Sequence, residues 1–179
     1  MDHSSVTVRR HDTSSTRRGR ATAGPSGHRD PVIIQSFETS NLRELDSMID
    51  VPLAQLVDAS GGPADLPGTT YASMLTPAGL AEVATYADGL GANKYVVIPR
   101  GATTPTAVVD DAHAEGLVVH VWTMRRENQF MDARFRRGTD PNAPGDLAAE
   151  VRVFLDAGVD GLFADHPDVA VRALASWLD

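Results

Sequence analysis

The chain has 179 residues, 42% of them hydrophobic, and a formal net charge of −8, which is the apolar content of a single domain large enough to bury a core. With no cysteine, disulfides, thiolate metal sites and a cysteine nucleophile are excluded, and the redox compartment stays undetermined. Residues 1–30 carry about +3 and leave about −11 for the rest, so the acidic body argues against nucleic acid as a partner.

No run of eighteen apolar residues is present, so no transmembrane segment is expected, and the arginine-bearing N-terminus lacks the apolar stretch of a secretory signal. The compartment is left open. Residues 1–30, rich in Ser, Thr, Arg and Gly, cannot bury enough surface to order themselves and are expected to form a disordered basic tail.

From Pro31 the pattern changes. "PVIIQSFE" reads as a buried parallel strand, and "SNLRELDSMI" as a helix capped by Ser40. "VPLAQLVD", Val51 to Asp58, is the next strand, followed by a Gly/Pro-rich loop. "TPAGLAEVATYA" is a helix with Thr76 as cap and Pro77 at its first position. "ADGLGANK" is a short strand, and "TPTAVVDDAHAEG" a second Thr-Pro helix closed by Gly116. "LVVHVWT" is a strand, "GDLAAEVRVFLDAG" a helix ending at Gly158, "DGLFADHP" a strand and "PDVAVRALASWL" the last helix. Strands alternating with helices predict a parallel α/β fold of about five βα units. A closed (β/α)8 barrel needs eight. The echo between "YADGLGANK" and "GVDGLFADHP" marks repeated βα modules, and the lack of G-x-G-x-x-G or a Walker A run sets nucleotide-binding α/β folds aside.

Polar residues gather where these strands end: Gln35, Ser36 and Glu38; Gln55 and Asp58; Asn93 and Lys94; Trp122 and Thr123; Asp165 and His166. Parallel barrels place their chemistry at such ends. Each residue also has a structural explanation. Asp165 can cap the last helix, Trp122 can pack in the core, Glu38 can be a solvated carboxylate at a helix start, and His166 can be a surface residue. His113 and His120 read as structural.

Taken in order, "VIIQSFE", "VPLAQLVD", "TYASMLTPAGLAEVATYADGLGANK", "AHAEGLVVHVWTMRREN", "FRRGTDP" and "AGVDGLFADHPDVAVRAL" resemble the C-terminal portion of the glycerophosphodiester phosphodiesterase family, from about Pro31 to Leu174. The resemblance implies part of a TIM (β/α)8 barrel over residues 31–179. It also implies hydrolysis of a small-molecule glycerophosphodiester to an alcohol and glycerol 3-phosphate, with a divalent cation, Ca²⁺ or Mg²⁺. It marks Phe37, Glu38, Lys94, Trp122, Arg125 or Arg126, and Asp165 as substrate-side residues. The family's His-Arg-Gly, Glu-x-Asp and Glu-x-Lys strands, which carry its catalytic histidines and metal carboxylates, have no counterpart ahead of "VIIQSFE". His28 and Arg29 in "GHRD" are poor stand-ins because no apolar strand precedes them.

The expectation is therefore a C-terminal segment of such an enzyme that lacks metal ligands and turnover by itself, with open sheet edges that favour a homodimer or a missing N-terminal half-barrel. A non-catalytic binding or assembly module is the alternative. A third reading is a metal-independent barrel enzyme using Asp165, Glu38 and a tail histidine.

Overall fold

The computed structural model describes residues 4–7 and 32–179. Five parallel strands alternate with helices, as in part of a (β/α) barrel, and a sixth strand joins them in the sheet order β1-β6-β5-β4-β3-β2.

The sixth strand lies within the stretch expected to be a tail. Ser4–Thr7 form β1 and pair antiparallel with β6 (Gly161–Ala164), Ser4 opposite Ala164 and Thr7 opposite Gly161. Composition judged the tail by whether it could bury a core. A strand needs only an edge to pair with, and the β-branched Val6 and Thr7 suit one. The β6 edge expected to be open is thus covered. The rest of the predicted tail lies outside the described residues.

By its contacts the chain divides into two compact units. The first to be considered comprises Asp110–Val119 and, from its other segment, the described residues 32–91. Here β2 (Ile34–Ser36) runs parallel to β3 (Leu53–Val57), with Ile34 opposite Leu53 and Ser36 opposite Gln55. Leu53, Ala54, Gln55 and Val57 are all buried, so successive residues on both faces of β3 are covered, as in a parallel strand between two layers. Asp88 ties the strand starts together. Its backbone N–H bonds Leu53 O at 2.8 Å, its carboxylate accepts from Leu53 N at 3.0 Å, and its carbonyl accepts from Val118 N at 3.1 Å.

Helix α1 spans Thr39–Met48 and its cap position is Glu38, not the predicted Ser40. Asp65, 25 residues on, supplies the capping instead, accepting from Thr39 N at 3.2 Å and Ser40 N at 2.5 Å. Such a long-range cap has no local sequence signal. A short helix α2 (Tyr71–Met74), absent from the prediction, starts at a reciprocal Thr70–Ser73 capping box. Helix α3 (Pro77–Val83) starts as predicted, with Thr76 Oγ1 accepting from Gly79 N at 3.1 Å.

The strand β4 (Gly89–Asn93) and the helix α5 (Val108–Ala114) cross the division between the units. A Cβ on Gly89 would meet Val118 Cγ2 at 2.8 Å, and one on Gly91 would meet Leu56 Cδ2 at 2.4 Å. Neighbouring strands thus pack closely at both glycines, and at Gly89 the backbone oxygen of Val118, 3.1 Å from such a Cβ, adds to the crowding. Helix α5 closes at Gly116, φ 78°, as predicted. Its start is not at Thr104-Pro105. Thr106 binds back to Val97 O through its N–H and to Val96 O through its hydroxyl, which holds the chain extended up to Val108.

The other unit comprises β1, Ala92–Val109 and His120–Asp179. A four-residue helix α4 (Lys94–Val97) follows β4, its first turn bonded by Asn93 Oδ1 accepting from Tyr95 N at 2.9 Å. β5 (Val118–Met124) runs parallel to β6, His120 opposite Gly161 and Met124 opposite Ala164, with a break in register around the cis Trp122–Thr123 peptide. The segment 125–146 then builds a compact loop from two 3₁₀ turns, Asn128–Phe130 and Ala133–Phe135. Buried Asn128 is its hub, donating to Arg137 O and Asp140 O and accepting from Arg137 N. Helix α6 (Leu147–Asp156) is capped by Asp146 and terminated by Gly158, φ 91°, before α7 (Pro167–Leu178) closes the chain. Gly161 explains part of the sequence echo with Gly89: a Cβ there would sit 2.6 Å from the ring of buried His120.

Candidate functional site

In the unit that contains β2 and β3, the strand ends form one polar cluster. Gln55, fully buried, is its centre: Nε2 donates to the carbonyls of Ser36, Phe37 and Leu56, and Oε1 accepts from Tyr86 Oη at 2.9 Å and Thr39 Oγ1 at 3.3 Å. Every polar valence of this buried amide is used, so it fixes the backbone that presents Phe37 and Glu38. The Glu38 carboxylate accepts from Ser36 Oγ at 3.1 Å, and Phe37 packs against Tyr71 with ring centroids 6.1 Å apart. The carboxylates Glu38, Asp58 and Asp65 hold the Tyr71 hydroxyl above its ordinary pKa, behind burial as the larger cause.

In the other unit a second cluster forms where β5 and β6 end. Arg125 Nε donates to Asp165 Oδ2 at 2.5 Å, and its guanidinium lies 4.2 Å from the centroid of the Phe130 ring. Both partners of this pair are half-buried. Stacking and a carboxylate together orient the planar fork, leaving its Nη groups to meet an oxyanion. Asp165 is thus not the cap of the last helix, as one reading had it. His166 occupies that position and makes no side-chain cap bond. The reading of His166 as a surface residue is also corrected: its side chain is 19% exposed, Nδ1 is sealed from solvent, and Nε2 lies 4.0 Å from Glu127 Oε1. Trp122 is half-buried and Arg126 exposed.

Lys94 has an interior place. It is 4% exposed, and Nζ bonds Glu150 Oε1 at 2.9 Å. Burial lowers the Lys94 pKa against the opposing pull of Glu150, and burial raises the Glu150 pKa against that of Lys94. His120 is buried with its pKa lowered by burial. His28 and Arg29 lie outside the described residues.

Sequence reasoning passed over Glu127, Phe130 and Glu150. For Glu150 a signal existed: Leu147, Glu150, Val151, Phe154 and Leu155 are the buried residues of α6, so the glutamate sits on the apolar stripe. A charge at such a position calls for a buried partner. Glu127 and Phe130 carried none, because their meaning depends on the fold of the 125–146 loop.

Among the described residues, no three His, Asp or Glu side chains come together to hold an ion. The sole Glu-x-Asp of the sequence, Glu44-Leu45-Asp46, lies on α1 and not at a strand end. The donor set of the described residues therefore does not fit the divalent cation that the resemblance implies.

Comparison with known proteins agrees with the sequence motifs. Over 138 residues the chain is 34% identical to glycerophosphodiester phosphodiesterase GDPD6 of Arabidopsis thaliana, covering 75% of this chain and 35% of that protein. It is 26% identical over 167 residues to the glycerophosphodiester phosphodiesterase of Haemophilus influenzae, covering 81% of this chain and 42% of that one. The chain thus spans well under half the length of these relatives. Its fold matches the crystal structure of a putative glycerophosphoryl diester phosphodiesterase from Silicibacter pomeroyi, with a TM-score of 0.52 and 20% identity, over 80% of this chain and 38% of that one. Residues 6–169 match the glycerophosphoryl diester phosphodiesterase family, and the chain belongs to that family.

Proposed function

We propose that this chain binds a glycerophosphodiester and supplies the substrate-side residues for its hydrolysis to an alcohol and glycerol 3-phosphate. Support comes from family membership across residues 6–169 together with the oriented Arg125 fork. Arg125 donates to a non-bridging phosphate oxygen, and Asp165 and Phe130 keep it pointed there. Within the same unit Lys94 and Trp122 are the further proposed substrate contacts, Lys94 through the donors that its bond to Glu150 leaves open.

Hydrolysis of a phosphodiester also needs a base for water, an acid for the leaving alkoxide and neutralisation of charge on phosphate. In the family these come from the His-Arg-Gly and Glu-x-Asp strands. No such strand is found among the described residues, so the proposal assigns this chain binding without turnover, and no step is derived through a metal.

Calorimetric titration of glycerol 3-phosphate and glycerophosphocholine into the purified chain tests this. Saturable binding of both, weakened about tenfold or more in Arg125→Ala by loss of a charge-assisted bond, supports the assignment. Absence of binding, or equal affinity in the variant, refutes it.

A further inference from the structure

Three buried side-chain polar atoms among the described residues have no hydrogen-bond partner: Glu127 Oε2, His166 Nδ1 and Glu150 Oε2. Two of the three belong to one facing pair. Buried polar groups are nearly always bonded, and leaving one unmet costs about 1–3 kcal/mol, so stability does not explain why these two side chains are held here. The polar atoms of the pair that are not sealed are Nε2 and Oε1, and these face each other across 4.0 Å.

That separation is too long for a direct hydrogen bond and suits one bridging atom. An oxygen about 2.8 Å from each, an ordinary hydrogen-bond length, would subtend an angle of about 90°. It must donate to a carboxylate, which excludes phosphate and carboxylate oxygens. Toward an Nε2–H of His166 it must also accept, and a hydroxyl, of a ligand or of a water, does both.

The surroundings agree. Arg125 and Arg126 balance Glu127 and Asp165 in charge, and at the start of α7 Asp168 is paired with Arg172, so the formal charges of these residues cancel. The notch between Glu127 and His166 lies close along the chain to the Arg125–Asp165 pair: the side chains of 125 and 165 meet just past the strand ends, and those of 127 and 166 face each other one or two residues further on.

We propose that Glu127 and His166 hold a free hydroxyl of the glycerol moiety while Arg125 holds its phosphate, which makes this pair the determinant of selectivity for a glycerol ester over a plain alkyl one. This rests on the function proposed above.

The test is the ratio of affinities, by calorimetry, for glycerol 3-phosphate and propyl phosphate, which lacks both hydroxyls. The wild-type chain should prefer glycerol 3-phosphate by about tenfold, and His166→Phe and Glu127→Gln should each bring the ratio toward one while propyl phosphate affinity moves little. If the wild type binds both ligands equally, or if the preference persists in both variants, the hydroxyl notch is wrong while the phosphate reading stands. If the wild type binds neither ligand, the proposed function fails and the notch with it.

Discussion

The buried pair Lys94–Glu150 allows a prediction with a sign that changes with pH. Both side chains are almost inaccessible, 5% and 1% exposed, and meet at 2.9 Å. Burial shifts each away from its charged form, Lys94 downward from 10.5 and Glu150 upward from 4.5, despite the attraction between them. Desolvation therefore outweighs the pair's own Coulomb energy, and removing both charges should cost nothing. Removing one should cost about 3–5 kcal/mol, because it leaves the other buried and unpaired.

With a urea slope of about 2 kcal/mol per M, Lys94→Met lowers the unfolding midpoint at neutral pH by about 1.5–2.5 M. In that variant Glu150 is the orphan. A raised folded pKa means stability that is full below 4.5 and lost as pH rises through the folded value, so Lys94→Met recovers in acid. In Glu150→Gln the orphan is Lys94, whose lowered folded pKa means stability present above 10.5 and lost as pH falls through the folded value. That variant recovers in alkali. The double variant Lys94→Met/Glu150→Leu should match or exceed the wild type. Urea melts of the four proteins across pH measure this. Single variants as stable as the wild type, or both shifting with pH in the same direction, would refute the reasoning.

Asp65→Ala should cost about 1 kcal/mol by uncapping α1. Although burial opposes it, the bonds from Ser40 and Thr39 lower the Asp65 pKa, so the wild-type advantage is present above 3.8 and vanishes as pH falls through the folded value, readable in the same melts. Gly161→Ala should destabilise by about 1–3 kcal/mol through overpacking against the His120 ring, and thermal unfolding should show the penalty shrink in a His120→Ala background. Gln55→Leu strands the Ser36 and Phe37 carbonyls and the Tyr86 hydroxyl, and costs about 2 kcal/mol or more. Chemical denaturation tests it, and a neutral result would remove Gln55 as the anchor of the Phe37–Glu38 turn.

Much of the fold was legible because it rests on local rules. Thr76-Pro77 started a helix, Gly116 and Gly158 ended two, and the alternation of apolar runs with capped helices announced parallel strands. Whatever depended on distant partners was hidden. The α1 cap comes from Asp65, the α5 start is delayed by the bonds of Thr106 to Val96 and Val97, and β1 exists because β6 offers an edge. The site divided in the same way. Position at strand ends marked Glu38, Lys94 and Asp165, and the family resemblance added Phe37 and Arg125, but neither could show that Lys94 turns inward to Glu150. Nor could either show that Glu127 and His166 face each other, since that depends on how the 125–146 loop folds back.

The most direct measurement is phosphorus NMR of glycerophosphocholine incubated with the purified 179-residue chain and Ca²⁺ or Mg²⁺. The account predicts a diester signal that shifts or broadens saturably with added chain and never converts to the monoester signal of glycerol 3-phosphate. Conversion would show that these residues hold a complete catalytic site. An unperturbed signal would show that they do not bind the diester at all, and either result would contradict the account.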